Sequence, residues 1–278
     1  MSTRVGLLQL QVDSADGVDQ RIDRAMSLVE KILAGANVEL PVVAAEGTDL
    51  SASVEFLVLP ELWTVGALDS EAMLAAPLSI DGSVVKAFAE LAAKYSVWLH
   101  LGSIPEVDGD QRFNTSIVFG PDGVIAATYR KIHLFGFDSG EAAMLTSGTQ
   151  IVCVPTAIGA TGLSTCYDVR FPELYRQQLD AGAESFVIPA GWPLARIEHW
   201  RTLLKSRSIE NLAWTLGCNQ VGTQAGVVLG GASAVVNPWG EVLVEAPADQ
   251  ECLVLADVDV ELVHATRSRF PVLRDRKL

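Results

Sequence analysis

Four cysteines are all that the 278 residues contain. None is spaced as a Cys-x-x-Cys pair, and together they make no disulfide ladder, so a disulfide scaffold and the common thiolate metal and redox centres are excluded. No apolar run reaches the roughly 18 residues of a membrane-spanning helix. The amino end runs from Met1 straight into the apolar residues 5–10, without the h-region and cleavage site of a signal peptide. Basic residues are scarce, 20 against 34 acidic ones, for a net charge of -14 and an isoelectric point near 4.6. A nucleic-acid partner is therefore disfavoured. Whole-chain acidity names no substrate, because a locally basic pocket still receives an anion. These absences together predict a cytoplasmic protein in a reducing compartment, with no membrane partner.

The chain does hold enough apolar residues, 49% of the total, to bury a large core. Length allows one domain or two, and the unbroken order of the motifs below argues for a single domain over 1–278. Short apolar runs alternate with helical stripes, the pattern of an α/β protein. Val18, Ile22, Met26, Val29 and Leu33 form one stripe, and Val84, Phe88, Leu91, Ala92 and Tyr95 form another. Strands are predicted at 5–10, 56–59, 97–101, 116–119, 151–154, 186–188 and 253–258. Turn residues at 120–123 and 237–240 read as hairpin connections, so the sheets should be mixed. Residues 34–54 make an unusually long connection, either a surface excursion or a rim near the site.

Three segments end an apolar run in a chemically useful residue. Glu61 follows residues 56–59 in Leu-Pro-Glu-Leu, Lys131 follows Tyr129 and Arg130, and Cys166 follows residues 158–163 in Ser-Thr-Cys-Tyr-Asp. A thiol at a strand-to-helix turn lies near backbone N–H groups that favour the thiolate. Glu61 suits the part of base, Lys131 adds an ammonium that lowers the thiol pKa and holds an oxyanion, and the Tyr167 N–H supplies a second donor. Taken singly, each residue also has an ordinary reading as a turn carboxylate, a surface charge or inert packing. Cys153, Cys218 and Cys252 lie in apolar runs and read as small core residues.

With these motifs in order, the chain resembles the nitrilase, or carbon-nitrogen hydrolase, superfamily, in its amidase-like branch near the omega-amidases and deaminated-glutathione amidases. The resemblance covers nearly the whole chain, including the 114–123 hairpin, the 192–211 stretch and the 237–240 turn. It implies an α-β-β-α four-layer sandwich with its active site at strand ends. It also implies hydrolysis of a small non-peptide amide through a Cys166 thioester, with Glu61 as base, Lys131 holding the oxyanion and no cofactor or metal. A second glutamate of the family falls on Glu141, with Asp138 as the alternative. Arg170 is placed to meet a substrate carboxylate or, equally, to pair with Asp168 or Glu173. Trp192 walls the acyl pocket or belongs to the core. The resemblance further implies a homodimer or higher homo-oligomer, for which 264–278 is a candidate contact tail. A nitrilase or an N-carbamoyl hydrolase would share the catalytic residues, and a catalytically silent binding protein is the alternative of another class.

Overall fold

In strand Thr3–Gln9 every residue is buried, which happens only when a sheet is covered on both faces. Its side chains divide by parity. Val5 and Leu7 face a second sheet, together with Phe56 and Val58. Leu8 faces a helical layer, together with Leu57, Leu59 and Leu99. The computed structural model of the chain, which describes residues 2–36, 38–136 and 140–277, builds its layers on that division.

The first sheet has seven strands in the order Val42–Ala44, Cys252–Val258, Thr3–Gln9, Phe56–Val58, Trp98–Asp108, Gln111–Phe119 and Ile125–Arg130. The second has six, in the order Val242–Glu245, Ala234–Val236, Trp214–Cys218, Ser185–Pro189, Gly159–Leu163 and Cys153–Thr156. Both are mixed, with parallel pairs at the centre flanked by antiparallel ones, and the first sheet ends in a parallel edge pair. Helices Val18–Leu33 and Ser83–Tyr95 cover the outer face of the first sheet through Ile22, Val29, Phe88 and Leu91. Helices Pro172–Asp180 and Ile197–Asn211 cover the second through Leu174, Tyr175, Trp200 and Leu204. Between the sheets, Val5, Leu7, Phe56 and Val58 meet Val187, Trp214, Leu216 and Val235. The layer order is helix, sheet, sheet, helix, as the resemblance implies. Among the described residues no helix is long and apolar enough to cross a membrane.

The predicted stripes lie on the first two long helices, and both predicted hairpin turns connect neighbouring antiparallel strands. Two details differ. Cys218 and Cys252 are core residues as expected, whereas Cys153 is only half-buried. The described part of residues 34–54 is a largely exposed surface excursion that does not line the pocket, yet within it Val42–Ala44 adds a seventh strand, parallel to Cys252–Val258. Arg4, 5% exposed, ties that excursion down. Its guanidinium meets Asp257 at 2.7 and 3.1 Å and donates to the carbonyls of Asp49 and Ala52.

Replacing Arg4 by Met removes the donors and leaves the Asp257 carboxylate and two carbonyls without them. The expected cost is about 1.5–3 kcal/mol, the range for hydrogen bonds to a charged group. Chemical denaturation measures it. Hydrogen exchange at 42–44 should rise while kcat holds, and a fall in kcat with stability intact would return this segment to the site.

Candidate active site

Glu61 owes its position to a distortion in the neighbouring strand. The register of Trp98–Asp108 against its antiparallel neighbour shifts between His100 and Ser103, and Gly102 in the bulge has φ of +70°. A Cβ there would sit 1.8 Å from Pro60 O, so only glycine lets the Pro60–Glu61 turn approach this closely. Ser103 N donates to Pro60 O at 3.2 Å, and Leu62 N, at positive φ, donates to Ser103 Oγ at 3.1 Å. The turn is fixed on both sides of the carboxylate.

Lys131 follows Ile125–Arg130 and is 1% exposed. Its Nζ donates to Glu61 Oε1 at 2.7 Å and to Glu141 Oε2 at 2.6 Å. Asn114 Nδ2 bridges the same two carboxylates, at 2.9 and 2.7 Å. Backbone donors complete the set: Gly191 N to Glu61 Oε2 at 2.9 Å, and Phe135 N to Glu141 Oε2 at 3.0 Å. Burial alone would drive the Lys131 ammonium toward its neutral form. The Glu141 and Glu61 carboxylates outweigh it and hold the lysine pKa well above its ordinary value. Glu141 is pushed up, chiefly by burial and then by the Glu61 charge, against the pull of Lys131.

Cys166 opens a 3-10 turn, Cys166–Arg170, at the end of Gly159–Leu163, with φ of +48°. Glycine, which has no Cβ, is the usual tenant of that backbone region, so the cysteine is strained. A capping box holds it, Thr165 and Asp168 each receiving the other's backbone N–H. Asp168 also accepts from Tyr129 OH at 2.7 Å and from His133 N at 3.0 Å, and meets His133 Nδ1 at 2.7 Å. One buried carboxylate therefore fastens the Cys166 turn to the loop that carries Lys131.

The thiol lies beside the Glu61 carboxylate and the Gly191 N–H, both of which act on its pKa. Here the sequence expectation needs correction. The turn and the ammonium were expected to lower the thiol pKa, but burial raises it well above the ordinary value, the Glu61 charge adds to the rise, and Lys131 only partly offsets both. The resting sulfur is a thiol facing a carboxylate.

Glu61, Lys131, Glu141 and Cys166 thus come together from four segments around one pocket. Tyr167, Arg170 and Trp192 also line it, as do Phe135 and Arg196. Trp192 is core and pocket wall at once: it is 3% exposed and packs on Trp200, with its Nε1 donating to Arg196 O at 2.8 Å. Asp168 is taken up by the partners above, and among the described residues Arg170 pairs with neither it nor Glu173. Its guanidinium lies 4.7 Å from the Trp192 ring centre, with one nitrogen 3.3 Å from His199 Nδ1. Asp138, the alternative second acid, lies outside the described residues. Among the described residues no cluster of three or more His, Cys, Asp or Glu side chains is arranged to hold a metal. Sequence reasoning passed over Asn114 as a bridge, Gly191 as a donor and Arg196 as a lining residue.

The family model for carbon-nitrogen hydrolases matches residues 4–268. The chain belongs to the carbon-nitrogen hydrolase family. Among curated relatives of this carbon-nitrogen hydrolase, a 2-oxoglutaramate amidase of Paenarthrobacter nicotinovorans is 36% identical over 281 residues, covering 98% of this chain and 89% of that protein. The omega-amidase NIT2 of Homo sapiens is 36% identical over 206 residues, covering 71% of this chain and 74% of that one. The crystal structure of Saccharomyces cerevisiae Nit3, described as a member of branch 10 of the nitrilase superfamily, superposes with a TM-score of 0.84 at 27% identity, covering all of this chain and 97% of that one.

Because the thiol of this carbon-nitrogen hydrolase is raised rather than lowered, its alkylation by a neutral reagent such as iodoacetamide should keep accelerating above pH 9. A low-pKa thiolate would level off near neutrality. Mass-resolved labelling of Cys166 across pH 6–10 measures this, and a plateau below pH 8 would contradict the assignment of a resting thiol.

Proposed function

We propose that this protein is an amidase that hydrolyses the terminal amide of a short carboxylic acid to carboxylate and ammonia, with Cys166 as nucleophile. The 2-oxo acid amide named for its relative, 2-oxoglutaramate, is the first substrate to test. The observation that carries the reading is that Cys166 shares one pocket with the Glu61 carboxylate and the buried Lys131 ammonium paired to it, with two arginines in the same lining.

In the first step Glu61 takes the thiol proton as Sγ bonds to the amide carbon and the carbonyl electron pair moves onto oxygen. Concerted transfer suits a thiol whose pKa is raised, because no free thiolate has to form first. Lys131 Nζ and the Tyr167 N–H hold the oxyanion. As it collapses, the C–N bond breaks, Glu61 returns the proton to nitrogen and ammonia leaves. Glu61 then takes a proton from water attacking the thioester, and the sulfur departs to recover its proton. Glu141 keeps Lys131 in place through its 2.6 Å contact and is a positioning residue. No step calls for a cofactor, and four unpaired cysteines suit a reducing cytoplasm.

We also read the chain as one domain that forms homodimers through its carboxy-terminal face. The 264–278 tail is partly docked on its own chain, where Phe270 packs edge-on against Trp239 at 5.6 Å and Arg276 pairs with Asp180 at 2.7 Å. That docking leaves Phe270 and Trp239 47% and 49% exposed, beside Ile209 at 53%. A second copy of the chain is the occupant that would cover such a patch by isologous contact.

Cys166→Ala should lower ammonia release from 2-oxoglutaramate by at least about a thousandfold, while Cys153→Ala, Cys218→Ala and Cys252→Ala retain it. Faster turnover of a nitrile or an N-carbamoyl amino acid would replace the amidase reading, and no turnover of any would leave a binding protein. For assembly, light scattering at micromolar concentration should give twice the 29.7 kDa chain mass. Removing residues from Arg267 onward should shift it to monomer, and a monomeric full-length chain defeats the proposal.

A further inference from the structure

The floor and the mouth of the pocket carry opposite charge. With Glu61 and Glu141 ionised, Lys131 ammonium and Cys166 thiol, the floor holds one net negative charge, while Arg170 and Arg196 place two positive charges in the same lining. A substrate carboxylate near the floor would be repelled, so an amide that also bears a carboxylate enters amide first. The far end then needs enough positive charge to overcome the floor's field, and one guanidinium only matches it.

Arg196 is built to share that task. Among the described residues it joins no ion pair, although Arg4, Arg24, Arg130, Arg201 and Arg276 each meet a carboxylate. Its guanidinium lies 5.5 Å from the Phe135 ring centre, as that of Arg170 lies 4.7 Å from Trp192 and 5.9 Å from Tyr167. Stacking on a ring steadies the guanidinium plane and leaves its N–H edge available for a carboxylate. Phe135 and Tyr167 meet at 5.3 Å, and Trp192 Nε1 donates to Arg196 O at 2.8 Å. Trp192, Arg170, Tyr167, Phe135 and Arg196 therefore form a closed collar in which cations and aromatic rings support one another. Its backbone anchor is the 3-10 turn Leu194–Arg196, where Arg196 N donates to Pro193 O at 3.0 Å.

We propose that Arg196 is a second carboxylate-reading residue, acting with Arg170 to hold the far carboxylate of an acid amide between two guanidinium groups. The proposal rests on the reading of the protein as an amidase of short acids. It explains a cation that the fold does not otherwise use.

The experiment compares succinamate with butyramide, acid and neutral amides of equal carbon count, in the wild type, Arg170→Gln, Arg196→Gln and Arg196→Lys. Arg196→Gln should reduce the succinamate-over-butyramide ratio in kcat/KM by roughly ten- to a hundredfold, mostly through KM, the range for a charge-assisted contact. Arg196→Lys should recover part of the ratio. Calorimetry gives a readout without turnover: succinamate should bind Cys166→Ala at least about tenfold more tightly than it binds the Cys166→Ala, Arg196→Gln double variant. If Arg196→Gln keeps the ratio and the succinamate affinity while Arg170→Gln loses both, the role of Arg196 is overturned and the amidase reading stands. Equal loss on both amides would make Arg196 a packing residue and likewise overturn it. A wild type with no preference for the acid amide, or no ammonia from either, sinks the acid-amide reading itself.

Discussion

A buried ammonium between two carboxylates is the interaction on which the site depends. Lys131 is held by Glu61 and Glu141, and without it two like charges would face each other across one Asn114 amide. Breaking a buried pair of this kind typically costs about 3–5 kcal/mol, because an uncompensated charge stays behind. Burial is the main reason the Cys166 sulfur rests as a thiol, and the Glu61 charge adds to it while Lys131 only partly offsets both. A lysine near a cysteine is a sound reason to expect a lowered pKa when the two are alone. Here the lysine's charge is already spent on its own carboxylates.

Much of this was legible from residue order. Glu61, Lys131 and Cys166 each end a strand, and the strand signals were strong because residues 5–10, 56–59 and 253–258 are covered on both faces and read as continuous apolar runs. The helical stripes on 18–33 and 83–95 were equally clear, since each buries one face and wets the other. What escaped acts across the fold. Gly102 matters because Pro60 O lies against it, and Gly191 matters because its N–H meets Glu61, contacts between residues far apart in sequence. Asn114 looked like an ordinary strand residue until two acids arrived at its amide. The edge strand Val42–Ala44 was hidden by its length of three residues, flanked by Pro41. Helix Ile197–Asn211 escaped because Arg207, Ser208 and Asn211 are buried on it, which blurs its apolar stripe.

Arg170 illustrates how a tied reading resolves. Two neighbouring carboxylates, Asp168 and Glu173, looked like ready partners in sequence. Asp168 turned out to be occupied with Tyr129, His133 and Thr165, because it ties the cysteine turn to the lysine loop. A structural duty for one residue thereby released its neighbour toward the pocket.

The thiol and its carboxylate partner come from different halves of the sandwich. Glu61 and Lys131 leave the seven-stranded sheet, whereas Cys166 and Gly191 leave the six-stranded one. The acidity of one sulfur is therefore a property of how the halves meet. Where they are apart, Cys166 is an unremarkable thiol and Glu61 an ordinary acid, and neither half carries the chemistry in latent form. A chain caught with its sheets formed but undocked would hold every needed residue and have no reaction to perform, so a partly assembled molecule is harmless to the amides around it.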